Sequence, residues 1–115
     1  MYRVINIGDK PVPMLSMASA NLYYKRVFKE DPLVLMNDEL PAADYIRFGM
    51  QMGYIMAVMA DAKGDRAKLN AMSEDGYAEW LDGFDNADMI NASAEAAALY
   101  VGQNVPTSKG KKKDT

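Results

Sequence analysis

Asp61, Lys63 and Asp65 have the alternating spacing with which a calcium-binding loop presents oxygen ligands. Lys63, however, stands at a ligand position, and Gly64 is displaced from the place of the turn glycine, so the segment is not such a loop. Glu79 and Asp82 are the nearest approach to a carboxylate pair for general acid–base work. Such a pair needs a cleft and one carboxylic acid held protonated by burial. Here the acids Glu74, Asp75, Glu79, Asp82, Asp85, Asp88 and Glu95 are spread along amphipathic segments, which is the pattern of a solvated face. The chain has no histidine and no cysteine. Histidine acid–base sites, thiol nucleophiles, zinc fingers and disulfides are therefore excluded together. There is no glycine-rich phosphate loop, and the sequon Asn91-Ala-Ser93 follows no secretory leader. The reading is a non-enzymatic chain with no catalytic, cofactor-binding or metal-ligating residues.

What remains is the chemistry of apolar surface. Gly49, Gly53 and Ala57 recur at every fourth position, with Ala60 close to the same line. A glycine inside a helix costs about 1 kcal/mol relative to alanine, and two at this spacing let another backbone approach closely. Either a tight crossing within the chain, for instance with an alanine-rich helix further on, or an interface between chains would use them. Ten methionines are present, and Met50, Met52, Met56 and Met59 cluster on the same segment. Flexible, polarizable thioethers suit irregular or changing surfaces, and equally a plain methionine-rich core. The stripe Tyr45, Phe48, Met52, Ile55, Met56 and Met59 is enough to anchor this helix in its own core. Ile46, Met50, Tyr54 and Val58 then leave a second apolar side. The candidate partner-binding face is accordingly Gly49, Met50, Gly53, Tyr54 and Ala57, with self-association expected if it stays exposed.

The elements that position this face read as follows. Tyr2–Ile7 is short and β-branched, Gly8-Asp9-Lys10-Pro11 is turn chemistry, and Val12–Ser16 is a second extended run, giving a hairpin or open turn. Pro11 and Pro13 restrict the second strand to a sheet edge. Ser16 or Ser19 is expected to cap a first helix reaching about Glu30, with Ala20, Tyr23, Tyr24, Val27 and Phe28 on one face. Asp31 before Pro32 stops it. Pro41 opens a second helix running to about Ala62. Ser73 caps a third, whose Tyr77, Trp80 and Phe84 are expected to be buried together. Asn86 caps a fourth, from Ala87 to about Val101, ended by Gly102. The fold class is mainly α: about four helices around one core with a short N-terminal β element. Residues 1–102 form one domain, and residues 103–115 read as a disordered basic tail.

Charge is unevenly placed. Residues 1–68 are nearly balanced, the seven acids above fall in residues 69–108 without a single base, and the tail carries Lys109, Lys111, Lys112, Lys113 and Asp114. An acidic body argues against a broad nucleic-acid footprint. The longest apolar run, Phe48 to Ala60, is interrupted by Gln51 and is too short to span a bilayer. A soluble intracellular protein is expected.

The order of these segments resembles that of the small tail assembly chaperones of tailed bacteriophages and prophages, particularly those of Gram-positive hosts. The resemblance covers nearly the whole chain. It is carried by an extended N-terminal segment, the aromatic-basic helix Leu22-Tyr-Tyr-Lys-Arg-Val-Phe28 with Asp31 and Leu33, and the apolar helix ending in Ile55-Met-Ala-Val-Met-Ala60. Then come Glu79-Trp80-Leu81 with Phe84-Asp85, a final helix and a lysine-rich end. That final helix lacks the bulky apolar residues expected there. The resemblance implies a non-enzymatic role in the host cytoplasm, absent from the mature virion. It implies binding of the tape measure protein, and of tail tube subunits, before polymerisation. It also implies a longer product made by ribosomal frameshifting near Lys109-Gly-Lys-Lys-Lys113. A small helical adaptor or regulator, or a structural tail-completion subunit, is the alternative.

Overall fold

The computed structural model describes residues 1–37 and 39–104. Among these residues the chain is mainly helical, with six helices, four of them longer than one or two turns, and an N-terminal two-stranded hairpin packed on the core. Strands β1 (Tyr2–Ile7) and β2 (Lys10–Leu15) pair antiparallel, with Tyr2 opposite Leu15 and Ile7 opposite Lys10. Gly8 takes φ +66° as the first residue of the two-residue turn, the placement a type II′ hairpin requires. Opposed residues share a face, so Ile5, Ile7 and Met14 go down onto the helices together and are almost fully buried. Tyr2 and Val4 stand on the other face and are exposed.

Helix α1 (Ser19–Phe28) buries Ala20, Tyr23, Tyr24, Val27 and Phe28, the face read from the spacing. Its start differs from expectation. Ala18 occupies the N-cap position and no side chain caps it. Ser16 is instead drawn into the hairpin, where its backbone N–H donates to Met1 O at 2.8 Å, and its hydroxyl is buried without a partner among the described residues. Helix α1 ends at Phe28, short of the expected Glu30, because Lys29 takes a left-handed C-cap conformation at φ +63°; Asp31-Pro32 instead begins a short helix, α2 (Pro32–Asn37), that periodicity misses. Pro32 is its first helical residue, and the Asp31 carboxylate accepts from Leu33 N–H at 3.0 Å.

Helix α3 (Ala42–Ala62) follows Pro41 as expected and is the centre of the fold, packed against α6, β2, α1, α4 and α5. Phe48, Met52, Ile55, Met56 and Met59 are buried, while Tyr45 in the first turn is exposed. A second short helix escapes the sequence reading: α4 (Arg66–Asn70), capped by Asp65, which accepts from Ala67 N–H at 2.9 Å. Helix α5 (Glu74–Leu81) is capped by Ser73 as expected, with the hydroxyl accepting from Gly76 N–H at 3.0 Å. Removing that cap with Ser73→Ala is expected to cost about 1 kcal/mol, read as a lowered midpoint in urea unfolding.

Helix α6 (Asn86–Asn104) begins one residue earlier than expected, because Asp85 rather than Asn86 supplies the capping carboxylate to Ala87 N–H at 3.2 Å. Gly102 does not end it. The only glycines of positive φ among the described residues are Gly8 and Gly64, so Gly102 continues the helix to Asn104. The expected tail therefore loses residues 103 and 104 to α6, and its remainder, residues 105–115 with the lysine run, lies outside the described residues. Small residues let α6 lie close to α3. Ala92, Ser93, Ala96 and Ala97 are buried between Met89 and the pair Leu99 and Tyr100, which supply the bulk at each end. Phe48 sits between Tyr24 and Tyr100, with ring centroids 5.6 and 5.5 Å away.

Candidate functional site

The glycine row of α3 faces inward, onto α6. A Cβ built on Gly49 would overlap the carbonyl oxygen of Ser93 and reach within 2.9 Å of its carbon. At Gly53 the nearest atoms to such a Cβ are Ala96 Cβ at 3.4 Å, Met14 Cε at 3.5 Å and Trp80 Cη2 at 3.6 Å. Of the two uses open to the row in the sequence, the structure adopts the tight crossing within the chain, and both glycines are buried.

Tyr54 is also occupied at home. Its ring packs on Tyr77 and Trp80 at 5.7 and 5.9 Å, and its hydroxyl accepts from Ser73 N–H at 3.4 Å. The second apolar side of α3 was expected to lack cover. Helix α5 covers it around Tyr54, and β2 lies beside the following turns. Met50 is partly buried and packs against the core. Ala57 is the exception among the five candidates. It lines an open groove of about 560 Å³.

This groove runs between the hairpin and the C-terminal half of α3. Tyr2, Val12 and Pro13 form one wall, Ala57 and Val58 the floor, and Trp80 of α5 the other wall. Asp61 and Lys63 stand at its end. The sequence placed Trp80 with Tyr77 and Phe84 in the interior. All three are only partly buried: α5 carries Tyr77 and Trp80 as a single thin layer between Tyr54 and solvent, and Phe84 lies beyond its last residue, Leu81. Trp80 and Phe84 nevertheless touch edge to face at 5.2 Å. Val58, Val12, Pro13 and Tyr2 show their apolar character in the sequence, but only the packing of the hairpin beside α3 brings them together.

The acidic residues do not converge. Among the described residues no three acidic side chains lie close enough to hold a metal ion. Asp65 caps α4, Asp61 pairs with Lys68 at 3.8 Å on the surface, and Glu79 and Asp82 are exposed.

Buried and half-buried phenols are the titrating groups that the fold perturbs. Burial pushes Tyr77 up to about 12 against an opposing pull from Arg47, and burial with the nearby Asp31 pushes Tyr100 up to about 12. Burial, reinforced by Glu30, raises Tyr24 as well; its hydroxyl donates to Gln51 Oε1 at 2.7 Å. A phenol whose pKa is higher folded than unfolded contributes stability that is complete below the unfolded value of 10.0. That contribution is lost as pH rises toward the folded value. The melting temperature is therefore expected to fall steeply between about pH 10 and 12, in step with the rise of tyrosinate absorbance. A flat profile across that interval would contradict the burial of these rings.

No family model matches the chain, and neither does any curated protein or solved structure.

Proposed function

We propose that this chain is a non-enzymatic tail assembly chaperone that binds the tape measure protein, and tail tube subunits, before tail polymerisation. The order of segments described above suggests the class of function, and the groove supports a binding role. Its apolar lining presents an aromatic wall, Trp80, beside the small floor residue Ala57, so that an apolar helix can lie against α3. A tape measure protein is a long, largely helical chain with apolar stripes that aggregate unless covered. The acidic run from Glu74 to Glu95 keeps such a complex soluble. No described helix is long and apolar enough to cross a membrane. The reading places the protein in the host cytoplasm and outside the finished virion, which mass spectrometry of purified virions tests.

On this reading the client site is Ala57, Val58 and Trp80, which line the groove. Gly49, Gly53 and Tyr54 support that surface from within. Val58→Asp puts a charge on the groove floor at a position that is already partly exposed. On co-expression, the wild-type chain is expected to keep the tape measure protein in the soluble fraction. Val58→Asp is expected to lower the amount co-purified by about tenfold, the effect of roughly 1.4 kcal/mol, with far-UV circular dichroism unchanged. A wild-type chain that neither retains nor solubilises the tape measure protein overturns the assignment.

A further inference from the structure

The two long edges of the hairpin are not equivalent. Met1 and Ser16 exchange two hydrogen bonds, Met1 N to Ser16 O at 2.7 Å and Ser16 N to Met1 O at 2.8 Å. In an antiparallel ladder, bonded and non-bonded pairs alternate along the strands. The register therefore makes Arg3 with Met14, Ile5 with Val12 and Ile7 with Lys10 the bonded pairs. Tyr2, Val4 and Asn6 on β1, and Pro11, Pro13 and Leu15 on β2, turn their backbone groups outward. On β2 two of those three positions are prolines, which have no N–H to offer, so that edge is blocked against another strand. On β1 all three keep their N–H. Nothing in the described residues hydrogen-bonds to them, and β1 has no proline and no acidic residue. Tyr2 and Val4 are 61 and 47 % exposed.

We infer that β1 is the self-association edge of this protein: two copies pair β1 to β1 antiparallel about a two-fold axis through Val4, joining two hairpins into one four-stranded sheet. This edge shares Tyr2 with the wall of the proposed client groove, but its central residue, Val4, does not line that groove, so Val4 variants test the edge separately. Two observations select a second copy as the occupant. The outward positions must meet outward positions, and only a register centred on Val4 sets Val4 against Val4 and Tyr2 against Asn6 in both directions, so each pair exchanges two main-chain bonds. Lastly, chains of net charge −3 whose acids crowd residues 74–95 repel one another through most approaches. The β1 edge offers an approach free of acidic side chains along the strand.

The test is the mass of the full chain in solution by sedimentation, together with amide exchange of the wild type by NMR. The wild-type chain is expected to form a concentration-dependent dimer in which the Tyr2, Val4 and Asn6 amides are protected. Val4→Lys puts a like charge on both sides of the axis, and Val4→Pro removes the central N–H as Pro13 does on β2. Each is expected to raise the dimer dissociation constant by at least about tenfold. Should Val4→Pro fail to fold, Val4→Lys at this exposed site and the wild-type exchange pattern decide. A wild-type chain that stays monomeric at every concentration overturns the inference. So does a dimer that Val4→Lys leaves intact, or one whose three outward amides exchange freely.

Discussion

Gly49→Ala is expected to be among the most damaging single-methyl changes in the molecule. The added carbon would overlap the Ser93 carbonyl of α6, and this obstacle is backbone inside a helix, with no rotamer to turn away. Relief requires α3 and α6 to move apart, which loosens the neighbouring contacts of Ala92, Ala96 and Ala97. Overpacking of this kind costs about 1 to 3 kcal/mol, and a backbone obstacle belongs at the upper end. Against it stands the helix-propensity gain of alanine over glycine, about 1 kcal/mol. The net expectation is a loss of about 2 kcal/mol, a fall in melting temperature of roughly 8 °C for a domain of this size. Gly53→Ala is the internal control. Its nearest neighbours stand at ordinary contact distance, the closest at 3.4 Å, so only the propensity gain remains and stability should hold or rise by up to about 1 kcal/mol. Thermal melts of the two variants decide. If Gly49→Ala is as stable as Gly53→Ala, the close crossing is wrong.

That pair of glycines also marks where the sequence stops being informative. Their spacing shows that some backbone comes close, but period alone cannot say whether it belongs to this chain. The answer lay in α6, whose row Ala92, Ala96 and Ala97 is the complementary small surface. Helices with a full turn of apolar residues and a local cap were legible, as α1 and α5 show through the Tyr23–Phe28 face and the Ser73 cap. Helices α2 and α4 were not, because six and five residues are too few for a period to emerge. Their caps, Asp31 and Asp65, are present in the sequence, but there Asp31 before Pro32 reads as a stop and Asp65 as part of a calcium loop that Lys63 rules out. The candidate face was legible only in part. Tyr54 and Met50 are apolar on the second side of α3, as read, yet Tyr54 is covered by an element too acidic to look like a cover. Helix α5 does this with Tyr77 and Trp80 alone, its acids remaining in solvent. The groove depends on where the hairpin comes to rest beside α3, a long-range placement with no local sequence signal.

Phe48→Ala is expected to have the largest effect of all. Phe48 is 1 % exposed and forms the middle of a ring sequence that links three helices: Phe28 and Tyr24 on α1, Phe48 on α3, and Tyr100 on α6. Tilted and edge-to-face contacts such as these contribute beyond simple burial. The two rings that flank Phe48 are fixed by hydrogen bonds, Tyr24 to Gln51 and Tyr100 to Asn21, so neither ring can slide into the vacated space without breaking one. The cavity therefore stays largely open, and truncation of a buried phenylalanine costs about 3 to 5 kcal/mol under those conditions. A domain of this size has only about 5 to 15 kcal/mol in total. The variant should unfold at a much lower urea concentration with an unchanged slope, since the surface exposed on unfolding is the same. Tyr45→Ala, one turn earlier on the same helix at an exposed position, should shift stability by no more than about 0.5 kcal/mol. Similar losses for the two would mean that α3 presents its other face to the core, and the groove floor of Ala57 and Val58 would have to be reassigned with it.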